Sequence, residues 1–340
     1  MQQNDSPPDL IGQSQAFLDA LAHASAIAPI DRPVLIIGER GTGKELLAGR
    51  LHFLSLRWEG PLVKVNCAAM NEELLESELF GHEAGAFTGA SKKHRGRFER
   101  AQGGTLFLDE IASSSPRVQE KLLRVIEYGE YERVGGEETR RADVRIVAAA
   151  NADLRALSAT GKFRADLLDR LAFDVISAPP LRHRREDIAL LSAHFAHAMA
   201  NEMNIPYPGF SANAIASLHA YAWPGNVREL RNATERALFH WSRNTHTPQI
   251  EEIIIDPFPD IPDGPVKNIS TAQTVTTPTQ LTTPHSDLRA HLDSVERTLT
   301  VNAIVAAQGN QKRAAKRLSL TYDQLRGIIR KHDIDVKSMV

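Results

Sequence analysis

The strand-like run Val34-Leu-Ile-Ile37 leads directly into Gly38-Glu-Arg-Gly-Thr-Gly-Lys44-Glu45, a G-x-x-x-x-G-K spacing with its glycines at 38 and 43. No other stretch narrows the possible folds as far. Glycines let the backbone wrap closely, so that successive N–H groups converge on phosphate oxygens. The positive end of the helix that follows adds to this field. Lys44 would reach the outer phosphates. The motif needs a strand before it and a helix after it, so it places the chain in the α/β class. Gly38, Glu39, Arg40, Gly41, Thr42, Gly43, Lys44 and Glu45 become candidate nucleotide-binding residues. Glu45 stands where the pattern has Ser or Thr for Mg2+, so the metal is expected to rely on phosphates, water and a distant carboxylate.

Gly103-Gly-Thr-Leu-Phe-Leu-Asp109-Glu110, an apolar strand ending in two acids, offers that carboxylate. Asp109 would bind Mg2+ directly or through water, and Glu110 would activate the attacking water. Further apolar runs at Leu62–Val65 and Val144–Ala148, and a weaker one at Phe173–Ile176, alternate with helical patterns. This predicts a parallel sheet sandwiched by helices. From Glu186 to about Arg243 the pattern is all-helical, interrupted by Trp223-Pro-Gly-Asn226, where Asn226 reads as an N-cap.

The 340 residues are 42% hydrophobic and 24% charged, enough for a large core in two or three domains. A net charge of -2 means that any nucleic-acid surface must be local. The single cysteine, Cys67, excludes an internal disulfide and a cysteine-cluster metal site. The N-terminus lacks a signal pattern and no apolar run approaches the roughly 18 residues of a membrane span, so a cytoplasmic protein is expected. The expected organisation is a disordered N-terminus (1–9), an α/β subdomain (10–180), a helical lid (181–258), a Thr/Pro-rich flexible linker (259–286) and a C-terminal helical module (287–335).

That module carries the local charge. From Gln311 to Lys331 there are seven Lys or Arg and one Asp, a net of +6. Two short helices joined at Leu318-Ser-Leu320 suit a helix-turn-helix, with Thr321 to Arg330 as recognition helix. Thr321, Tyr322, Gln324 and Arg326 are candidates for groove contacts. Lys312, Arg313, Lys316, Arg317 and Lys331 are candidates for phosphate contacts, and Arg330 joins the DNA-binding set.

Gly85-Ala-Phe-Thr-Gly-Ala90 completes the pattern: too Gly-rich for a strand, too weak for a helix, with one large apolar group. With the two nucleotide motifs, this hexapeptide makes residues 10 to 240 resemble the AAA+ domain of bacterial enhancer-binding proteins, the ATPases that activate σ54 RNA polymerase. The resemblance implies an AAA+ P-loop ATPase with a helical lid, a C-terminal Fis-type helix-turn-helix, and ATP with Mg2+ as cofactors. It makes Gly85, Ala86, Phe87, Thr88, Gly89 and Ala90 the σ54-contact loop, with Phe87 and Thr88 at the contact. From composition alone, Phe87 reads as a core anchor folding the loop down.

Other positions carry over one at a time. Asn66 would hold the catalytic Glu until ATP is sensed, though it reads equally as a cap for Cys67-Ala-Ala. Arg164 and Arg170 match the segment that supplies arginine fingers to a neighbouring subunit, which implies a ring, a hexamer in this family. Asn151 matches the polar sensor, although Ala150 stands before it where a Thr is frequent. Arg228 matches the lid arginine that reports nucleotide state. The resemblance extends to the phage-shock branch of the family, in which the ATPase begins almost at the N-terminus. It implies control by a negative regulator acting in trans. Trp58, on a polar loop before a strand, is a candidate anchor for such a partner or a half-buried packing residue. An AAA+ DNA-remodelling motor that does not act on σ54 is the alternative; it would want a basic pore loop, and Lys92, Lys93, His94, Arg95 and Arg97 lie close by. A non-enzymatic, ATP-gated repressor would need neither Glu110 nor fingers.

Overall fold

Every strand that the apolar runs predict lies in one parallel sheet. The computed structural model describes residues 10–243, 247–257, 288–307, 310–318, 320–332, 334 and 336. The expected disordered N-terminus (1–9) and the whole of the expected linker (259–286) lie outside them. The chain divides into two compact units, Met1–Asp260 and Ile261–Val340.

In the first unit α1 (Gln15–Ile27) precedes β1 (Val34–Ile37), α2 (Lys44–Phe53), β2 (Leu62–Asn66), α3 (Glu72–Phe80) and α4 (Arg97–Arg100). Then come β3 (Thr105–Asp109), α5 (Pro116–Tyr128), β4 (Glu130–Glu132), β5 (Thr139–Arg141) and β6 (Arg145–Ala150). The unit ends with α6 (Leu154–Ala159), α7 (Ala165–Leu171), β7 (Asp174–Ser177), α8 (Arg185–Glu202), α9 (Ala212–Ala220) and α10 (Asn226–Arg243). Strand order is β2-β3-β6-β1-β7, each pair parallel.

Both sheet faces are covered, which is why the strands read as unbroken apolar runs. Successive side chains point to opposite faces. Val34, Ile36, Phe107, Val147 and Ala149 pack with Ala24, Ile27, Leu47 and Leu51 of α1 and α2. Leu35, Leu106, Leu108, Ile146 and Ala148 pack instead with Leu75, Leu79, Phe98, Leu122 and Leu167 of the helices on the other side. Because the strands are parallel, their C-terminal ends share one edge, where such sheets bind ligands. Asn66 lies opposite Asp109, and Ile37 opposite both Ala150 and Ser177.

Helices α8, α9 and α10 form the second layer of this unit around Leu191, Leu218, Leu230 and the fully buried Trp223, whose indole N–H donates to the Leu218 carbonyl at 2.8 Å. Asp187, fully buried, ties this layer to the start of α1: it accepts from the backbone N–H groups of Gln13 and Ser14, the Ser14 hydroxyl and Arg184. The sequence reading missed the antiparallel β4–β5 hairpin.

Among the described residues the second unit contains α11 (Leu288–Ala306), α12 (Gln311–Arg317) and α13 (Tyr322–Lys331), closed over Ala303, Ile304, Ala314, Ala315 and Leu325. The small Ala314-Ala315 pair lets the helices approach closely. Thr321 lies outside α13 as its N-cap: its hydroxyl accepts from the Gln324 N–H and the Gln324 side chain accepts from the Thr321 N–H. The predicted recognition helix therefore starts one residue later.

Candidate functional site

The phosphate loop turns from β1 into α2 at the shared edge. Gly41 sits at φ +78°, and a Cβ there would collide with the Gly225 carbonyl, so this close approach requires glycine. Gly43 (φ +93°) caps α2 and its carbonyl accepts from the N–H groups of Leu46 and Leu47, leaving those of Lys44 and Glu45 without an acceptor in the helix. Lys44 is buried, and its ammonium donates to the carbonyls of Gly38 (2.9 Å) and Glu39 (3.0 Å). Burial pulls the Lys44 pKa down, against the opposing pull of Asp109 and Glu110. Glu45 is exposed and pairs with Lys64 at 2.9 Å.

Asp109 ends β3, and burial raises its carboxyl above the usual range, opposed by the Glu110 N–H and by Lys44. A half-buried carboxylate beside a phosphate cradle fits a divalent cation. Glu110 follows in the left-handed region (φ 51°) and pairs with Arg40 at 3.2 Å. Asn66 caps no helix: its side-chain oxygen accepts from the Ala68 N–H in a tight turn, and α3 begins later, capped by Asn71. Asn151 follows β6, whose last carbonyl, Ala150, accepts from the Gly38 N–H at 3.1 Å.

Asn226 is not the helix cap that the sequence suggests. It is buried at φ 54°; its side-chain oxygen accepts from the Leu181 N–H at 2.8 Å, and its amide donates to Glu39 and to the Arg40 carbonyl. Arg182 adds two bonds to Glu39, whose carboxyl is lowered to about 2, first by Arg182 and then by Asn226. Val227 donates its N–H to the Gly41 carbonyl, and Arg228 packs beside Gly41. The helical layer thus grips the loop through its backbone. No local motif could have revealed Arg182, which acts 143 residues from its partner.

Arg164 stands before α7 and pairs with Asp166, while Arg170 on α7 pairs with Glu127 on α5. Both are exposed. Outside this edge, residues 85–90 form a projecting loop. The Gly85 N–H donates to the Ala90 carbonyl (2.7 Å) and the Ala90 N–H to the Phe87 carbonyl (3.0 Å). Gly85 and Gly89 have positive φ and nothing within 4 Å of a would-be Cβ, so both sit in open space. Phe87 is 42% exposed and rests edge-on against the His82 ring, so it is no core anchor. The base is firmer. His82 bridges both His94 and Val134, and buried Arg133 donates to Glu83 and Glu99.

Two family models match this chain: the Sigma-54 interaction domain over residues 10–177 and the AAA+ ATPase lid domain over residues 182–251. The chain is 54% identical, over 96% of its length and 98% of the relative, to the Psp operon transcriptional activator of Escherichia coli (strain K12). The chain belongs to the σ54-dependent transcription activators. It is also 44% identical to the transcriptional regulatory protein ZraR of Klebsiella oxytoca, over 92% of this chain and 66% of that one. Crystal structures of NtrX from Brucella abortus superpose with a TM-score of 0.68 in complex with ADP (31% identity) and 0.68 in complex with ATP (30%), each covering 96% of this chain and 70% of that one. The activator is thus an AAA+ ATPase that binds ATP and works on σ54 RNA polymerase.

In the activator's second unit Lys312, Arg313, Lys316 and Arg317 are exposed on α12, as are Tyr322, Gln324, Arg326 and Arg330 on α13. Lys331 is engaged internally, donating to Asp293 and Glu296 of α11 at 2.7 Å each. Trp58 is 56% exposed and Leu56 81%, so the tryptophan presents about half of its surface to solvent. No described helix is long and apolar enough to cross a membrane.

Proposed function

We propose that the activator binds enhancer DNA through a Fis-type helix-turn-helix formed by α12 and α13, assembles into a hexameric ring, and uses ATP hydrolysis to drive the 85–90 loop against σ54 at the phage-shock operon. The observation that carries this reading is the loop itself: an apolar tip hinged on two glycines in open space, standing on a base braced by Arg133.

ATP phosphates lie along the Gly38–Lys44 backbone, with Lys44 released from its two carbonyls to meet them. Asp109 would hold Mg2+, directly or through water, and the bound ion would supply neutralisation of phosphate charge. Glu110 orients and deprotonates the attacking water, Asn66, opposite Asp109, is the polar partner that the resemblance gives to Glu110, Asn151 is the polar sensor, and Arg228 reports nucleotide state from the lid. Arg164 and Arg170 leave their present carboxylate partners to serve as fingers in a neighbouring subunit's site, a contribution worth about 10³-fold or more. The expected division into an α/β subdomain (10–180), lid (181–258), linker (259–286) and DNA module (287–335) separates the ATPase from the DNA contacts along the chain.

Six exposed cations on α12 and α13, from Lys312 to Arg330, suit phosphate and groove contacts, with Thr321 and Lys331 kept for the fold of the module. Trp58, exposed on its loop, would receive an inhibitor in trans, a reading supported by the likeness to the Psp operon activator; the protein would act in the cytoplasm with these partners.

The test compares wild type and Thr88→Ala in open-complex formation by σ54 holoenzyme, with ATPase activity followed in parallel. The expected result is retained hydrolysis with promoter opening reduced at least about tenfold, a coupling loss of about 1.4 kcal/mol. Equal opening by both proteins would remove the loop from the mechanism.

A further inference from the structure

The reading above leaves one question about Glu110: what occupies its carboxylate in the conformation described here. Asn66 is the residue that family resemblance nominates, yet its side-chain oxygen is bound to the Ala68 N–H. The group facing the Glu110 carboxylate is the guanidinium of Arg40, with Nε 3.2 Å from Oε1. Arg40 belongs to the phosphate loop. Its carbonyl is held by the Asn226 amide at 3.0 Å, so its main chain is fixed to the lid side of the site. Its side chain is different: 68% exposed and extended across the loop toward an acid that is only 17% exposed. The Glu110 backbone sits in the left-handed region (φ 51°) directly after Asp109, whose carboxylate accepts the Glu110 N–H at 2.9 Å. An exposed cation thus meets a largely buried acid.

We propose that Arg40 is a positioning residue that keeps Glu110 engaged until a triphosphate enters the loop. The inference rests on the role given to Glu110 under the proposed function. The physical argument is competition for one cation. A triphosphate brings several negative charges against the Gly38–Lys44 backbone, a few ångströms from the Arg40 main chain, and the guanidinium redistributes toward the greater charge. Lys44 makes the same exchange, giving up the carbonyls of Gly38 and Glu39. Release of Arg40 frees Glu110 for the water, so that the acid is offered when substrate is present. Breaking an exposed ion pair costs little, so the device can operate without slowing nucleotide entry.

If the Arg40–Glu110 pair must open for ATP to bind, losing Arg40 costs less affinity where Glu110 is present, because no pair then has to be broken. The experiment measures the affinity of the full-length protein for a fluorescent, non-hydrolysable ATP analogue in a double-mutant cycle of Arg40→Gln and Glu110→Gln. The effect of Arg40→Gln is expected to be about two- to fivefold more favourable to binding in the wild-type background than in the Glu110→Gln background, the range of an exposed ion pair. Arg40→Lys, which keeps a cation, should return affinity toward wild type. An equal change in both backgrounds, tighter or weaker, would overturn the proposal; equal weakening would make Arg40 a phosphate ligand only. ATP turnover by Glu110→Gln is measured separately. If that variant still hydrolyses ATP at the wild-type rate, the assignment of Glu110 falls, whatever the binding cycle shows.

Discussion

Two surface loops of the activator each present an aromatic side chain to solvent, and they are built in opposite ways. The Trp58 loop is over-determined. Arg57 donates to both carboxylate oxygens of Asp31 and to the Asp143 side chain and carbonyl. The Ser55 hydroxyl is fixed to the His52 carbonyl, Gly60 N–H to the Arg57 carbonyl, and a Cβ on Gly60 would meet the Gly103 carbonyl at 2.5 Å. The 85–90 loop has a few backbone bonds, two glycines in open space and one ring contact. A partner that binds one fixed shape gains from a surface that loses no freedom on binding. A tip that is raised or lowered by nucleotide needs the reverse, low local stability on a firm base. The exposed aromatic is common to both; its mounting differs.

The comparison can be tested at its firmest point first. Arg133 is buried between Glu83 and Glu99, and Arg133→Ala would leave Glu83 only Lys93 and Glu99 only the exposed Arg95 beneath the glycine-hinged loop. Urea unfolding should show a loss of about 3 kcal/mol, with promoter opening lost as well; an unchanged midpoint would mean that the loop does not depend on a rigid base. Arg57→Ala comes next, with an expected loss of about 1 kcal/mol because Asp31 and Asp143 are well exposed. ATPase and promoter opening should be unaffected while inhibition in trans weakens. Intact inhibition would argue that the platform does not hold Trp58 for a partner. The smallest effect is on pH. The Arg57 hydrogen bond holds the Asp31 carboxyl below its ordinary value, so the clamp's contribution is full above the unfolded pKa of about 3.9 and is lost as pH falls through the lower folded value. Trp58 emission should therefore change only below about pH 4. A change near neutrality would point to another group.

The parts of this architecture that were legible in the sequence are those with local signals. Unbroken apolar runs marked the five parallel strands, and parallel strands bring Lys44, Asn66, Asp109 and Asn151 to one edge without further assumption. The β4–β5 hairpin was illegible because Glu130-Tyr-Glu132 and Thr139-Arg-Arg141 are short and polar, with Tyr131 the buried residue among them. Arg133 looked like one more charge in a charged stretch; it is buried by acids 50 and 34 residues away. The pairs Arg40–Glu110 and Arg182–Glu39 are likewise tertiary, and nothing in a G-x-x-x-x-G-K spacing announces them. Asn226 misled for a different reason. Trp-Pro-Gly-Asn before a helix is a good capping context, and the asparagine is indeed at the helix start, but its amide is used across the domain rather than along the helix.

That use of Asn226 says something about which letters of the amino-acid alphabet the position can hold. The side chain must accept at one end, from Leu181, and donate at the other, to Glu39 and the Arg40 carbonyl, from a backbone with positive φ. Aspartate tolerates that backbone but would set a second carboxylate against Glu39. Glycine fits the backbone and offers neither group. Serine and threonine are too short to span both sides, and glutamine carries the same amide one carbon too far out. Of these, asparagine alone meets all three demands, so the joint between lid and phosphate loop rests on one short amide.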